Sequence, residues 1–191
     1  AFDLRALPPA FFENPYPTYR ALRRLAPAFP CADGSVFLTR YADCERVYRS
    51  RETSSDKRVL FKPTLGDGPI FTHHTTSLVF NDPPYHTRVR QAIQGALIAR
   101  VLKTMEPPLI SLVDRLLDEA QEKGEFDLIE EFAAAIPVEV IGNLLGIPPV
   151  ERGPLRGWSL AILGALEPRI SDTVRARANE AVEAFSSYLT D

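Results

Sequence analysis

The 191-residue sequence predicts a mostly α fold with one small β element. Two observations carry that prediction. Apolar residues recur at helical spacing in segment after segment, each closed by a breaker such as Pro27, Gly124 or Gly146 followed by Pro148. A hairpin pattern appears only around Asp33-Gly34, where Ala28 to Cys31 and Ser35 to Thr39 read as two short strands. An apolar content of 45% is enough to bury one core, so residues 1–191 are read as belonging to a single domain.

In chain order, Asn14-Pro15-Tyr16-Pro17 opens a helix from Thr18 to Ala26, with Tyr19, Leu22 and Leu25 as its apolar stripe. Behind Tyr41, Ala42 to Ser50 reads as a short helix. From Arg51 to Phe80 regularity fails, and Pro63, Gly66, Gly68 and Pro69 make this a long loop, of the kind that commonly carries function. Next, Asp82 is placed to cap a helix from about 83 to 97, with Pro83 and Pro84 in its first turn and Val89, Ile93, Ala96 and Leu97 along one side. Pro107 to Glu122 is strongly amphipathic. Ile136, Val140, Ile141, Leu144 and Leu145 wrap most of a helix circumference, which marks a centrally buried helix. A helix from Leu155 to Leu166 follows, and a last one runs from Thr173 through Leu189. Because the chain starts without Met and stops inside that helical pattern, it is expected to continue past Asp191.

Composition excludes several classes. With a net charge of −3 and no Lys/Arg block interleaved with aromatics, nucleic acid is not a partner. The longest apolar stretch, Phe132 to Val150, is interrupted by Pro137, Glu139, Asn143 and Pro148, so no membrane span is expected. No signal-peptide pattern opens the chain, and Cys31 and Cys44 make no disulfide framework; both point to the cytoplasm. Phosphate-binding glycine loops, the nucleophile elbow and the zinc-protease motif are all absent. His73-His74 lack a Cys or acidic partner at ligand spacing, and as neighbours in an extended loop they would point apart, so no metal site is expected.

The chemistry concentrates in Asn81-Asp82-Pro83-Pro84-Tyr85-His86-Thr87-Arg88-Val89-Arg90. His86 and Arg90 stack one turn apart, on the face shared with Ile93 and Leu97, and are expected to point inward. An inward guanidinium requires an anion: either a carboxylate or phosphate of a ligand, or an Asp or Glu of this same chain.

Asp82 to Arg90 resembles the C-helix motif of soluble bacterial cytochrome P-450 monooxygenases, in which the matching His and Arg hold a haem propionate. Asn14 to Pro17 is similar to that family's A-helix entry, Val36 to Tyr41 to its first sheet, and Ile136 to Pro148 to its E helix. The stretches His73 to Asn81 and Trp158 to Leu166 resemble members fused to a flavin and iron–sulfur reductase. The resemblance implies the N-terminal portion of the cytochrome P-450 fold, about helices A to G. It also implies haem b held by His86 and Arg90, with electrons from NAD(P)H arriving through a fused reductase or a ferredoxin. One oxygen atom of O2 would enter a small organic substrate, met by Phe71, His74, Thr76, Val79, Ile162 and Leu166. Arg88, Arg100 and Lys103 could face the electron donor. The family's iron-ligating cysteine loop is not matched by Cys31 or Cys44, so no catalytic residue is assigned in this chain and it is not expected to be active by itself. The rival reading is a non-catalytic helical module whose His86 and Arg90 bind an acidic ligand or partner.

Overall fold

The computed structural model describes residues 2–4, 6–95, 99–167 and 169–190. They fall into two compact units, Ala1–Ser55 and Asp56–Asp191. The first contains α1 (Pro9–Glu13), α2 (Tyr16–Leu25), the antiparallel strands β1 (Ala28–Pro30) and β2 (Val36–Leu38), and α3 (Tyr41–Arg49). The predicted hairpin is present, with Phe29 opposite Phe37. Its turn is made by Asp33, whose carboxylate accepts from the Ser35 N–H at 3.0 Å, and by Gly34 at φ +84°, a conformation that disfavours any side chain. Aromatic rings fill the space between hairpin and helices: Phe2 meets Phe37 at 4.8 Å between centroids, and Phe11 meets Tyr19 edge-on at 5.5 Å. Both cysteines are free thiols, half-buried.

The second unit is helical throughout its regular elements. It comprises α4 (Arg58–Leu65), α5 (Pro69–Thr76), a 3-10 turn (Leu78–Phe80), α6 (Tyr85–Gln94) and α7 (Ala99–Lys123). A π-helical turn (Leu128–Ala133), α8 (Ala135–Leu145), a 3-10 turn (Pro149–Glu151), α9 (Gly153–Gly164) and α10 (Asp172–Thr190) complete it. Four expectations need correction. The stretch 51–80 is not a loop but carries α4 and α5, short helices held by packing rather than by propensity. The helix after Asp82 begins at Tyr85 with Pro84 at its N-cap position, and the Asp82 carbonyl accepts from the His86 N–H at 3.1 Å. Ala96 and Leu97 lie outside the described residues. Helix α7 starts eight positions before Pro107 and carries Pro107 and Pro108 in its interior, where each removes its own N–H from the ladder and crowds the carbonyl four residues back. Finally, α8 is not centrally buried: Ile141 and Leu145 are exposed, and one side of the helix lies open.

The core of this unit is Leu65, Ile70, Ile162, Ala165, Ala178, Ala181 and Val182, flanked by Phe61, Phe71 and Trp158. Small residues on α10 let α9 and α5 approach closely, so the alanines there are a packing device. Asn179 of α10 also ties down the start of α5, accepting from the Ile70 N–H at 2.9 Å. A Cβ on Gly68 would stand 2.7 Å from that same Asn179 oxygen. Gly68→Ala is therefore expected to break this bond and cost about 1–2 kcal/mol, the size of an orphaned buried donor. Urea denaturation of the variant against wild type measures it, and an unchanged midpoint would show that α5 is not held this way.

A second tie closes the turn between α8 and α9. Arg152, buried at 6% exposure, sends its guanidinium to the Glu139 carboxylate, to Asn143 Oδ1 at 2.8 Å and to the Ile147 carbonyl at 2.6 and 2.9 Å. Gly142 makes room for it, since a Cβ there would meet Arg152 Cδ at 2.7 Å.

Candidate functional site

The segment from α5 to α6 is positioned by its own polar side chains. Asn81 donates to the carbonyls of Thr75 at 2.9 Å and Ser77 at 2.7 Å, and Tyr85 donates to the Thr76 carbonyl at 3.2 Å. These bonds fix the start of α6 against the end of α5, and the described part of α6 packs on the 3-10 turn Leu78–Phe80.

On α6, His86 is half-buried and Arg90 is exposed. The expectation that both point inward is corrected for Arg90: nothing among the described residues covers that face, and Ile93 beside it is 44% exposed. The alternative of a same-chain carboxylate is also not realised, because neither His86 nor Arg90 forms an ion pair among the described residues. The helix thus presents a guanidinium and an imidazole one turn apart with their donors uncommitted. That donor set fits a carboxylate of a bound group, such as a propionate.

The residues expected to meet substrate divide into two groups. Phe71, His74 and Ile162 sit in or against the core: Ile162 belongs to it, Phe71 packs on it, and His74 is only 3% exposed. Thr76, Val79 and Leu166 are exposed, and the Thr76 hydroxyl is occupied by the Thr72 carbonyl at 2.8 Å. His74 also departs from the loop reading. It lies on α5 between the rings of Phe61 and Phe80, and its Nδ1 stands 3.4 Å from Nδ1 of His73, so the neighbours meet rather than diverge. Burial, with the adjacent His73 ring adding to it, pushes the His74 imidazole down to about 4, and burial lowers His73 as well.

A groove of about 470 Å³ opens between α8, α9 and α10, with Val138, Ile141, Leu145, Leu160, Leu163 and Phe185 on its walls. It is the counterpart of the open side of α8. Sequence reading also passed over Arg152 and Asn179, which look like ordinary polar residues of a turn and a helix. The available signals were glycines, Gly142 inside a helix and Gly68 before one, each leaving room for a side chain from elsewhere.

The chain is mostly helical with one two-stranded hairpin, and its α6 offers a His/Arg pair that suits an anionic group. It superposes on the crystal structure of CalO2 with a TM-score of 0.86 at 27% identity, covering 100% of this chain and 48% of that one. In sequence it is 34% identical over 185 residues to the vitamin D(3) 25-hydroxylase of Pseudonocardia autotrophica, covering 95% of this chain and 44% of that protein. The cytochrome P-450 monooxygenase PikC of Streptomyces venezuelae is 31% identical over 194 residues, covering 98% of this chain and 44% of PikC. No family model matches. The chain belongs to the cytochrome P-450 family, and it spans about half the length of the curated relatives it matches.

Proposed function

We propose that residues 1–191 form the N-terminal half of a single haem monooxygenase domain, in which His86 and Arg90 hold a haem propionate. The observation that carries this reading is the uncommitted pair on α6: two donors one turn apart, no acidic partner among the described residues, in a chain of this family. Haem, when bound, supplies the activation of O2. The chain's own part is to orient that group through the guanidinium and imidazole and to shape the space where a small organic substrate lies. The iron ligand is expected from the part of the family fold that this chain does not span, since Cys31 and Cys44 belong to the hairpin and α3. Electrons would come from NAD(P)H through the flavin and iron–sulfur centres of a fused reductase, or through a ferredoxin. Arg88 and Lys103 are exposed, as a docking role requires, while the Arg100 side chain lies outside the described residues. No helix is long and apolar enough to cross a membrane among the described residues, which suits a cytoplasmic enzyme.

Haem titration of the intact protein tests the assignment. Arg90→Ala is expected to weaken haem retention more than His86→Ala, by roughly tenfold or more. A charged hydrogen bond contributes about 1.5–3 kcal/mol, and truncation leaves the propionate unpaired. Arg88→Ala should retain haem as wild type does. Equal retention by wild type and the His86/Arg90 double variant would remove the propionate role and favour a module that binds some other acidic ligand.

A further inference from the structure

Helix α5 is eight residues long, and Ile70, Thr72, Thr75 and Thr76 within it are β-branched. Neither length nor composition holds such a helix by itself. Its N-cap position is Gly68, which has no side chain to satisfy the free N–H groups of the first turn. Asn179 of α10 takes that part from 109 positions away, its Oδ1 accepting from the Ile70 N–H, the second of the helix, at 2.9 Å. This is the bond that a local Ser or Asp at the cap would make. Gly68 admits it, since a Cβ there would stand 2.7 Å from the same oxygen. One turn earlier on α10, Arg175 donates to the Thr64 carbonyl at 3.3 Å, at the C-terminal end of α4, where a cation also meets the negative end of the helix dipole. Asp172 steadies that guanidinium at 2.7 Å. An acceptor and a donor on one face of α10 thus match the two kinds of group that helix ends leave open, an N–H entering α5 and a carbonyl leaving α4.

We propose that Asn179, aided by Arg175, is a positioning residue for substrate: α10 caps the corner between α4 and α5 and so sets where Phe71 and Thr76 stand. Asn179 acts through α5 and not by meeting substrate. Ile70, whose N–H it receives, is fully buried, and Phe71 is the next residue along. Without the cap the first turn of α5 frays, and the side chains mounted on the helix lose their fixed place. This role deepens the proposed function and rests on Phe71 and Thr76 meeting the substrate.

The test uses the intact haem-loaded protein with Asn179→Leu, which keeps the size of the side chain and removes the acceptor, and with Asn179→Asp, which keeps the acceptor. Hydrogen exchange at the Ile70 amide reads the cap. Exchange is expected to quicken roughly fivefold in Asn179→Leu, the size of a lost N-cap, and to stay at the wild-type rate in Asn179→Asp. Gly68→Ala, which displaces the same oxygen from the other side, should quicken it too. An unchanged rate in Asn179→Leu would overturn the cap. For the consequence, phenylimidazoles of graded size are titrated by their optical shift. Asn179→Leu should alter their relative affinities by roughly threefold or more, the size of one neutral hydrogen bond, and Asn179→Asp should keep the wild-type order. Thr76→Phe is the direct control, altering the order if α5 lines the pocket. An order altered by Thr76→Phe but not by Asn179→Leu would overturn the positioning role. An order altered by neither, with Ile70 exchange quickened, would remove α5 from the pocket and the proposal with it, leaving haem binding by His86 and Arg90 untouched.

Discussion

Replacing Arg152 by alanine is expected to cost the second unit about 3 kcal/mol, near the lower end of what breaking a buried ion pair costs. The guanidinium satisfies Glu139, Asn143 and the Ile147 carbonyl at once, and its removal leaves all three to find new partners. Glu139 is 30% exposed and can turn part of its carboxylate to water, which holds the cost below the upper end of that range. The buried carbonyl of Ile147 has no such escape, because Ile147 is only 6% exposed. Arg152→Lys should recover little, since one ammonium cannot reproduce a planar fork shared among three acceptors. Trp158 is the single tryptophan and packs against Phe185 and Tyr188 between α9 and α10, so its fluorescence reports this unit in urea. A variant within about 0.5 kcal/mol of wild type, the usual range of a surface substitution, would mean that the network contributes nothing net.

The second large effect is a loss of stability in mild acid. The His74 imidazole, pushed from the ordinary value of 6.5 down to about 4 by burial, stays neutral in the fold where the unfolded chain takes up a proton. A depressed histidine therefore contributes no penalty above pH 6.5, a growing one as pH falls toward 4, and a constant one below. Over that window the loss amounts to about 3 kcal/mol at 1.36 kcal/mol per unit. His73, also lowered by burial, adds in the same direction. Exposed carboxylates titrate at the acid end of this range in both proteins, so the difference between wild type and His74→Phe isolates the imidazole. The variant's stability should fall less steeply between pH 6.5 and 4. Parallel pH profiles for the two would show that His74 is solvated in solution.

Elements with strong local codes were legible from the residues alone. The amphipathic stripe of Leu109, Leu112, Val113 and Leu116 announces α7, Asp33-Gly34 announces the hairpin, and Thr173 to Leu189 announces α10, because period and turn chemistry act within a few residues. His86 and Arg90 on α6 were legible as a candidate pair for an anionic group, and the cytochrome P-450 family as a resemblance that the comparisons bear out.

What lay beyond local reach was decided by tertiary structure. Eight-residue helices such as α4 and α5 are too short to be stable alone, and α5 stands because Asn179, far along the chain on α10, receives its first free N–H. Helix α7 runs through Pro107-Pro108 because a long ladder of turns on both sides outweighs two missing donors. Arg152 is buried because three acceptors from α8 and its following turn converge on it, and His74 because Phe61 and Phe80 close over it. The sequence determined which segments are helical where the pattern is local and which residues could bind an anion. Only the fold decided which polar groups meet, since burial and hydrogen-bond partners belong to the packed arrangement and not to any one segment.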